Sequence, residues 1–242
     1  MSPISICCPI QSGAMAYAVS HLQSKGYYIN MLPSLDTEHL LLPVPSFPDG
    51  SNYLPPLLES LPPKVRVYGG FLHVPPLIGY KRVDFLTDPY YLAQNAAITA
   101  ECTLEMLENI LSHTVAGHSF LILGWGRIGK CLGKLLQEKG AHVTISARKD
   151  ADLAMLEALG YHAVPLRDLR IESEFVINTI PAMVLEKVPE NTVAIDLASK
   201  PGIAGENIIS ARGLPGKMRP AESGKLIADT FIRLSQNQEV EL

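Results

Sequence analysis

Short apolar runs alternate with stretches of helical periodicity along the second half of the chain. The runs that predict strands cover residues 119–123, 142–146, 175–178 and 193–197. Residues 124–139 and 151–159 have the spacing of amphipathic helices, and each of these stretches is followed by a glycine that ends it. Strands that alternate with helices are typical of a doubly wound parallel sheet with helices on both faces.

The first 92 residues consist of shorter elements separated by proline. Thirteen of the 19 prolines lie in this part, which indicates short strands joined by rigid turns. The predicted strands cover residues 4–9, 27–32, 39–44, 65–68 and 83–86. Residues 11–25 have helical spacing, with Met15, Val19 and Leu22 on one face. This part is therefore predicted to form a second parallel α/β layer.

Two further helices are predicted outside these layers. Asp88-Pro89 is typical of a helix start, with Asp as the N-cap and Pro at the first helical position. The helical periodicity continues from there to residue 111. The other helix covers residues 221–234 and is apolar on one side.

Composition narrows the classes of function. Of the 242 residues, 47% are apolar and 18% are charged, which excludes an intrinsically disordered chain. The 20 basic and 24 acidic residues leave a net charge of −4, whereas general nucleic-acid binders carry a basic excess. The four cysteines form no C-x-x-C pair, and the sequence has neither the pattern of a signal peptide nor a membrane-spanning apolar run. The cytoplasm is therefore the expected compartment.

The segment after the strand at 119–123 carries the strongest motif. It consists of Gly124, Trp125, Gly126, Arg127, Ile128 and Gly129. Between a strand and a helix, this G-x-G-x-x-G pattern is typical of dinucleotide binding. Gly124 allows the tight turn, Gly126 lets the backbone approach a pyrophosphate, and Gly129 lets the helix pack on the strand. The helix start offers free N–H groups to the phosphates. The alternative is a strand–helix turn that binds no ligand.

The end of the next strand indicates which dinucleotide is bound. An NAD site usually places Asp or Glu there to bind the ribose 2′-hydroxyl, but this chain has Ser146, Arg148 and Lys149. Two cations would attract a 2′-phosphate, so NADP is the predicted cofactor and NAD remains possible. Ordinary surface charges are the alternative for both cations, and Asp150 would blur the preference if it turned towards the ribose.

The remaining predicted cofactor residues follow two later strands. They are Asn178, Thr179, Ile180 and Pro181 after the strand at 175–178, and Asp196 and Ala198 after the strand at 193–197. Ligands of doubly wound sheets lie outside the carboxyl ends of the strands, so these segments are predicted to wall the nicotinamide half of the cofactor. An Asx turn is the alternative for Asn178, and capping of turn backbone is the alternative for Asp196.

No metal site is predicted. His113 and His118 are five residues apart in a loop, and the other histidines show no ligand spacing. The last histidine is His162. This argues against the late acid/base histidine that a 2-hydroxy-acid dehydrogenase would normally use.

Taken together, these segments resemble the family of dipicolinate synthase A subunits, from about residue 95 to residue 234. The matching positions are Asn95, Thr99, Glu101, Thr103, the glycine loop 124–129, Ser146, Ala147, Arg148, and the segments 178–181, 196–202 and 213–216. The family's Pro-Gly-Gly turn is Pro201-Gly202-Ile203 here, and residues 1–92 match loosely.

The resemblance implies a two-domain, NAD(P)-dependent oxidoreductase of the dehydrogenase type. Residues 113–220 would form its Rossmann domain. Residues 1–92 with the helix at 221–236 would form a smaller, flavodoxin-like α/β domain, and a helix at 93–112 would link the two. The family's reaction converts 4-hydroxy-tetrahydrodipicolinate, an intermediate of the diaminopimelate/lysine pathway, to dipicolinate during sporulation. Further expectations are a homo-oligomer, the cytoplasm of the mother cell, and a partner in the flavoprotein-like B subunit of dipicolinate synthase.

Aromatisation of such a ring removes two hydrogens and one water, so the site needs a proton acceptor and groups that hold carboxylates. Glu101 is the candidate base, whereas the later glutamates of the same helix are expected to face solvent. Lys200 is the candidate cation for a substrate carboxylate, and Ser199 and Thr103 are candidate hydrogen-bond donors. A solvated or structural role is the alternative for each. Another NAD(P)-dependent reductase of a small carboxylate, or an NADP-binding subunit without catalysis, are the alternative functions.

Overall fold

The structure is a computed structural model that describes residues 4–47 and 54–237. The chain forms two compact units. One combines the described residues up to Asn95 with those from Pro215 onwards, and the other consists of Ala96–Leu214. Each unit contains its own β-sheet, which confirms the two predicted α/β layers.

A five-stranded sheet forms the centre of the first unit. Its strands are β1 (Ser5–Cys7), β2 (Tyr28–Asn30), β3 (His39–Leu41), β4 (Arg66–Gly69) and β5 (Lys81–Asp84), and the helices between them are α1 (Ala14–Ser24) and α2 (Leu54–Glu59). All neighbouring strands are parallel, in the order β2-β1-β3-β4-β5. This is the strand order of flavodoxin-like folds, as predicted.

Both faces of this sheet are covered, which explains why its central strands β1, β3 and β4 are buried at nearly every position. Leu40 and Val67 pack with Leu57 of α2 on one face. Successive residues of a strand point to opposite faces, so the rings of His39 and Tyr68 lie on the other face, with their centroids 5.3 Å apart in an edge contact.

The last strand of this sheet is shifted relative to its prediction. Residues 83–86 were predicted as the strand, but β5 ends at Asp84 and is followed by a 3-10 turn over Phe85–Thr87. The Asp84 carboxylate accepts hydrogen bonds from the backbone N–H groups of Leu72 and Leu86, each at 2.9 Å. These bonds turn the chain away from the sheet, and apolar periodicity contains no signal for them.

The helix start predicted at Asp88-Pro89 is confirmed. The helix α3 (Pro89–Leu111) begins there and continues into the second unit. Asp88 Oδ1 accepts a hydrogen bond from the backbone N–H of Tyr91 at 2.8 Å, as an N-cap does. Arg233 contacts the same carboxylate.

The second unit contains a six-stranded sheet. Its elements are β6 (Ser119–Leu123), α4 (Arg127–Glu138), β7 (His142–Ala147), α5 (Asp150–Ala158), β8 (His162–Pro165), β9 (Phe175–Asn178), β10 (Val193–Asp196) and β11 (Ile208–Ser210). All strands are parallel, in the order β11-β10-β9-β6-β7-β8. This is the doubly wound order of dinucleotide-binding sheets, as predicted, although β8 and β11 were not.

The last helices are α6 (Leu214–Met218) and α7 (Pro220–Asn237). The prediction of a helix at 221–234 is confirmed, and α7 packs closely on α1 in the first unit. A Cβ atom at Gly224 would lie 2.2 Å from the carbonyl oxygen of Ala14, so only glycine permits this approach. Across the described ranges, no helix combines the length and the apolar character that a bilayer crossing requires.

Candidate dinucleotide-binding site

The second sheet changes winding direction between β6 and β9. Leu123, the last residue of β6, is paired with Ser146 of β7 on one side and with Asn178 of β9 on the other. The carboxyl ends of three strands therefore lie side by side. Doubly wound sheets bind their ligands in the crevice at this position.

Two glycines of the predicted loop are required by its shape. Gly124 has a φ of +104°, and a Cβ there would lie 2.7 Å from Thr179 Oγ1 and 2.8 Å from Ile180 Cγ1. A Cβ at Gly129 would lie 2.1 Å from the carbonyl oxygen of Gly124. The start of α4 is thus packed directly against the loop, and neither position accommodates a side chain without displacement of neighbouring atoms.

Gly126 differs from both, because the space beside it is open. It is exposed, has a φ of −82°, and a Cβ there would meet no atom within 4 Å. It is also the N-cap of α4, where no side chain caps the helix and no acidic residue lies in the first turn. The positive end of the helix dipole therefore faces open space that is bounded by backbone, which suits a pyrophosphate.

The remaining residues of the loop lie around this space. Arg127 is exposed and Ile128 is half-buried. The indole of Trp125 forms an edge contact with the Tyr161 ring, at 5.6 Å between centroids, and Lys130 Nζ lies 5.6 Å from the indole centroid. The Trp125 side chain is thus packed on neighbouring residues of its own unit, where it can report on the loop by fluorescence.

The end of β7 provides an unusual polar group. Ser146 is fully buried, and its Oγ has no hydrogen-bond partner within the described residues, although its carbonyl oxygen accepts a hydrogen bond from the Gly124 N–H at 2.9 Å. A buried hydroxyl without a partner is costly, and a bound ligand would remove this cost. Arg148 and Lys149 follow as exposed cations with no ion pair to an acidic side chain in the described part of the chain.

Asn178 and Asp196 form a buried network at the ends of β9 and β10. Asn178 Nδ2 donates to Asp196 Oδ1 at 2.9 Å and to the Ile180 carbonyl oxygen at 3.0 Å, and Asn178 Oδ1 accepts from the Ile180 N–H at 2.9 Å. Asp196 also accepts from the backbone N–H groups of Ala198, at 3.1 Å, and Gly202, at 2.8 Å. Both side chains thus hold turn backbone, as the alternative interpretations expected.

The segment after β10 is held tightly by this network. A Cβ at Gly202 would lie 2.1 Å from Asn178 Nδ2. The next residue, Ile203, is buried and forms an isolated parallel bridge with Leu185, so it occupies the core. Arg212, which the sequence did not single out, reaches Asp196 Oδ2 with its Nη2 at 3.9 Å. Arg212 follows β11, a strand that the sequence did not predict, so nothing in the sequence indicated that this side chain would reach Asp196.

The other predicted cofactor residues lie along the same edge. Thr179 Oγ1 donates to the Leu123 carbonyl oxygen at 2.8 Å, which ties the β9 turn to the glycine loop. Ile180 is half-buried, Pro181 is exposed and Ala198 is buried. The structure therefore brings the predicted residues after β6, β7, β9 and β10 to one edge of one sheet.

The candidate catalytic residues fall into two groups. Ser199 and Lys200 are exposed in the turn after β10, on the same edge as the cofactor residues. Glu101 and Thr103 lie on α3, where Glu101 is half-buried. Thr103 is fully buried, and its Oγ1 donates to the Thr99 carbonyl oxygen at 2.8 Å. Its hydroxyl proton is thus used within the helix, which favours a structural role over the predicted contact with substrate.

Comparison with known proteins agrees with this architecture. Residues 93–187 match the family model of the NAD-binding domain of D-isomer specific 2-hydroxyacid dehydrogenases. No curated protein shows detectable similarity in sequence. The A subunit of dipicolinate synthase from Bacillus halodurans is 22% identical with a TM-score of 0.79, over 97% of this chain and 98% of that chain. Its counterpart from Bacillus subtilis is 20% identical with a TM-score of 0.82, over 100% of this chain and 99% of that chain.

The chain has the fold of the A subunit of dipicolinate synthase. A transhydrogenase from Sinorhizobium meliloti is also similar, at 12% identity and a TM-score of 0.68, over 91% of this chain and 80% of that chain. The resemblance found in the sequence is thus confirmed at the level of the fold. The match over residues 93–187 supports a nicotinamide cofactor of the dehydrogenase type. The matched model is that of the NAD-binding domain alone. No histidine follows His162 in the sequence, so the late acid/base histidine of 2-hydroxy-acid dehydrogenases has no counterpart among these residues.

Proposed function

We propose that this chain is an NAD(P)-dependent oxidoreductase of the same type as the A subunit of dipicolinate synthase, which converts 4-hydroxy-tetrahydrodipicolinate to dipicolinate. The observation that carries the proposal is the open backbone at Gly126 in front of the uncapped start of α4. The fold that the chain shares over its full length with the dipicolinate synthase structures supports the choice of substrate.

Residues at the edge of the second sheet would hold the cofactor. The N–H groups at the start of α4 would bind the pyrophosphate, and the orphan hydroxyl of Ser146 would face the adenosine half. Arg148 and Lys149 would bind a 2′-phosphate, and β7 ends in Ser146 and Ala147 without the acidic residue that NAD sites usually place there, so NADP is the proposed cofactor. When bound, the nicotinamide supplies a two-electron hydride acceptor.

Substrate residues are proposed on two elements. Lys200, exposed after β10, would hold a ring carboxylate, and Ser199 beside it would donate a hydrogen bond. Glu101 on α3 would accept the proton that aromatisation releases. Asn178 and Asp196 are positioning residues in this scheme, because they hold the turns that carry Thr179 and Lys200.

The physiological setting is part of the same proposal. The flavoprotein-like B subunit of dipicolinate synthase would be the partner, the chain would form a homo-oligomer, and the reaction would take place in the cytoplasm of the mother cell during sporulation. The support for this setting is the enzyme named in the similar structures. Co-purification with the B subunit, together with the molar mass of the chain alone and in the mixture by light scattering, tests it.

Cofactor binding is tested by calorimetry with NADPH and NADH on the purified chain. A charge-assisted hydrogen bond contributes roughly 1.5–3 kcal/mol, so Arg148→Ala is expected to weaken NADPH binding by about tenfold to hundredfold and to leave NADH binding nearly unchanged. Arg167→Ala, which removes an exposed cation paired with Asp168, is the matched control. Equal losses for both nucleotides would overturn the NADP assignment, and no heat with either would overturn the cofactor site.

Turnover is tested by incubation of the chain with NADP⁺ and freshly formed 4-hydroxy-tetrahydrodipicolinate, with and without the B subunit. Growth of the ultraviolet absorbance of an aromatic pyridine is the expected result. Glu101→Gln should abolish it while NADPH affinity is kept, and Glu105→Gln, an exposed position on the same helix, is the control. Cofactor binding without turnover in either mixture would contradict the proposed reaction and favour a non-catalytic role.

A further inference from the structure

We propose that His113 and His118 form a binding site for a divalent transition-metal ion, with Cu²⁺ as the preferred ion. The two residues lie between α3 and β6 in the second unit, and Glu174 precedes β9 beside them. This cluster is separate from the glycine loop in sequence, and the proposed oxidoreductase function does not use it.

The distance between the two imidazoles suits chelation. His113 Nε2 and His118 Nε2 are 3.1 Å apart. Two nitrogens at this separation, each about 2.0–2.1 Å from a shared ion, would subtend an angle of about 100° at that ion. This value lies between the angles of square-planar and tetrahedral coordination, so the separation of the two nitrogens fits a shared ion.

The tautomer of His118 is set by its second nitrogen. His118 Nδ1 lies 3.1 Å from Glu174 Oε1, and an ionised carboxylate only accepts hydrogen bonds. The proton is therefore on Nδ1, which leaves the lone pair of Nε2 available to bind an ion. A carboxylate behind a ligating histidine is the usual support of a metal-bound imidazole.

Glu174 is itself held in place and charged. Its Oε2 accepts hydrogen bonds from the Ser119 backbone N–H at 2.8 Å and from the Ser119 hydroxyl at 3.2 Å. These two bonds fix the position of the carboxylate, and the His118 ring keeps its orientation.

The site is open to solvent on the His113 side. His113 is exposed and borders a polar cavity of about 550 Å³ that Glu108, Asn109, Ser112 and Thr114 also line. The described ranges contain no group of three or more His, Cys, Asp or Glu residues arranged for a metal, so the other coordination positions would hold water. With two imidazole ligands, the affinities for divalent ions would follow the Irving–Williams order, in which Cu²⁺ binds more tightly than Ni²⁺ or Zn²⁺.

Calorimetric titration of the chelator-stripped chain, without a polyhistidine tag, tests the proposal with CuCl₂, NiCl₂ and MgCl₂. One Cu²⁺ per chain, weaker Ni²⁺ binding and no Mg²⁺ binding are expected. His113→Asn and His118→Asn should each weaken Cu²⁺ binding at least tenfold, and Glu174→Gln should weaken it by about tenfold. His73→Asn, an exposed histidine of the first unit, is the control, and thermal melting verifies that each variant is folded.

The electron paramagnetic resonance spectrum of the Cu²⁺-loaded wild-type chain gives an independent measurement. Hyperfine splitting from two equatorial imidazole nitrogens is expected. No saturable Cu²⁺ binding, unchanged affinity in both histidine variants, or a spectrum with thiolate ligands would overturn the proposal. In that case the 3.1 Å contact is a hydrogen bond between the two imidazoles. None of these outcomes bears on the nicotinamide cofactor, because NADPH calorimetry of the same variants reports on that site separately.

Discussion

Acidification is expected to destabilise the first unit through one residue, His39 of β3. Its ring lies in edge contact with the rings of Tyr68, at 5.3 Å, and Phe231 of α7, at 5.4 Å. The residue is 7% exposed, and its Nδ1 has no hydrogen-bond partner in the described part of the chain. Burial, with a smaller contribution from Arg66, lowers the pKa of His39 from 6.5 to about 4.

The size and sign of the effect follow from this pKa. Each unit of difference between folded and unfolded pKa corresponds to about 1.4 kcal/mol, so His39 contributes a change of roughly 3 kcal/mol in the free energy of unfolding. Above pH 6.5 the residue is neutral in both states and costs nothing. As the pH falls from 6.5 to 4, only the unfolded chain takes up the proton, and stability is lost over that window.

Urea unfolding between pH 4 and pH 7 measures this effect. The near-ultraviolet circular dichroism of the tyrosines, of which all but Tyr161 belong to the first unit, reports mainly on that unit, and the fluorescence of Trp125, the single tryptophan, reports on the second. His39→Leu should remove roughly 3 kcal/mol of the pH dependence from the first signal only, whereas His73→Leu, at an exposed position, should not. An unchanged pH dependence in His39→Leu, or an imidazole that titrates near pH 6.5 by NMR, would refute the reasoning.

Three further predictions concern single positions. Gly126→Val is expected to lower the free energy of unfolding by only about 1 kcal/mol, because the added Cβ meets no atom within 4 Å. It should nevertheless weaken NADPH binding at least tenfold by calorimetry. Gly129→Ala should instead lower stability by about 1–3 kcal/mol in denaturation, since its Cβ would lie 2.1 Å from a loop carbonyl oxygen; a Gly129→Ala variant as stable as the wild type would contradict this packing. Asp196→Asn should cost about 1–3 kcal/mol, because the buried Gly202 N–H loses its charged acceptor, and a wild-type unfolding midpoint would argue against the network. Burial raises the pKa of Cys8 to about 12, so its thiol should resist a disulfide reagent at pH 8 until the chain is unfolded, which mass mapping of the labelled cysteine measures.

The fold was predictable wherever an apolar run was long and bounded by glycine. The strand at 119–123 coincides with β6, and α4 and α5 begin and end within a few residues of their predictions. β8 and β11 were missed because each is short and lies at an edge of the sheet, where exposed residues such as His162 and Ser210 break the apolar pattern. Edge strands bury less surface and leave a weaker trace in the sequence.

The position of the site could be predicted from the sequence, but several of its side-chain contacts could not. The G-x-G-x-x-G pattern located the loop, because glycine at 124 and 129 is dictated by close contacts within the chain itself. Arg212 contacts Asp196, which lies 16 positions away in the sequence. His118 contacts Glu174, which lies 56 positions away. Contacts of this kind depend on sheet order, which the periodicity of one segment does not contain.

A polar residue at the carboxyl end of a strand either holds the backbone of the following turn or faces a ligand, and its burial distinguishes these two roles. Asn178 and Asp196 are almost completely buried and spend their hydrogen bonds on turn backbone, whereas Lys200 beside them is exposed. Ser146 is the exception, since it is buried and its hydroxyl bonds to nothing that the structure describes. The sequence does not reveal which of the four is buried, because each lies at or just after the end of an apolar strand. The residues that shape the turn therefore determine where the ligand-facing residues lie. Variants of either kind are expected to change cofactor affinity, and loss of a buried turn-holding side chain such as Asp196 should also lower stability, whereas loss of the exposed Lys200 side chain should not.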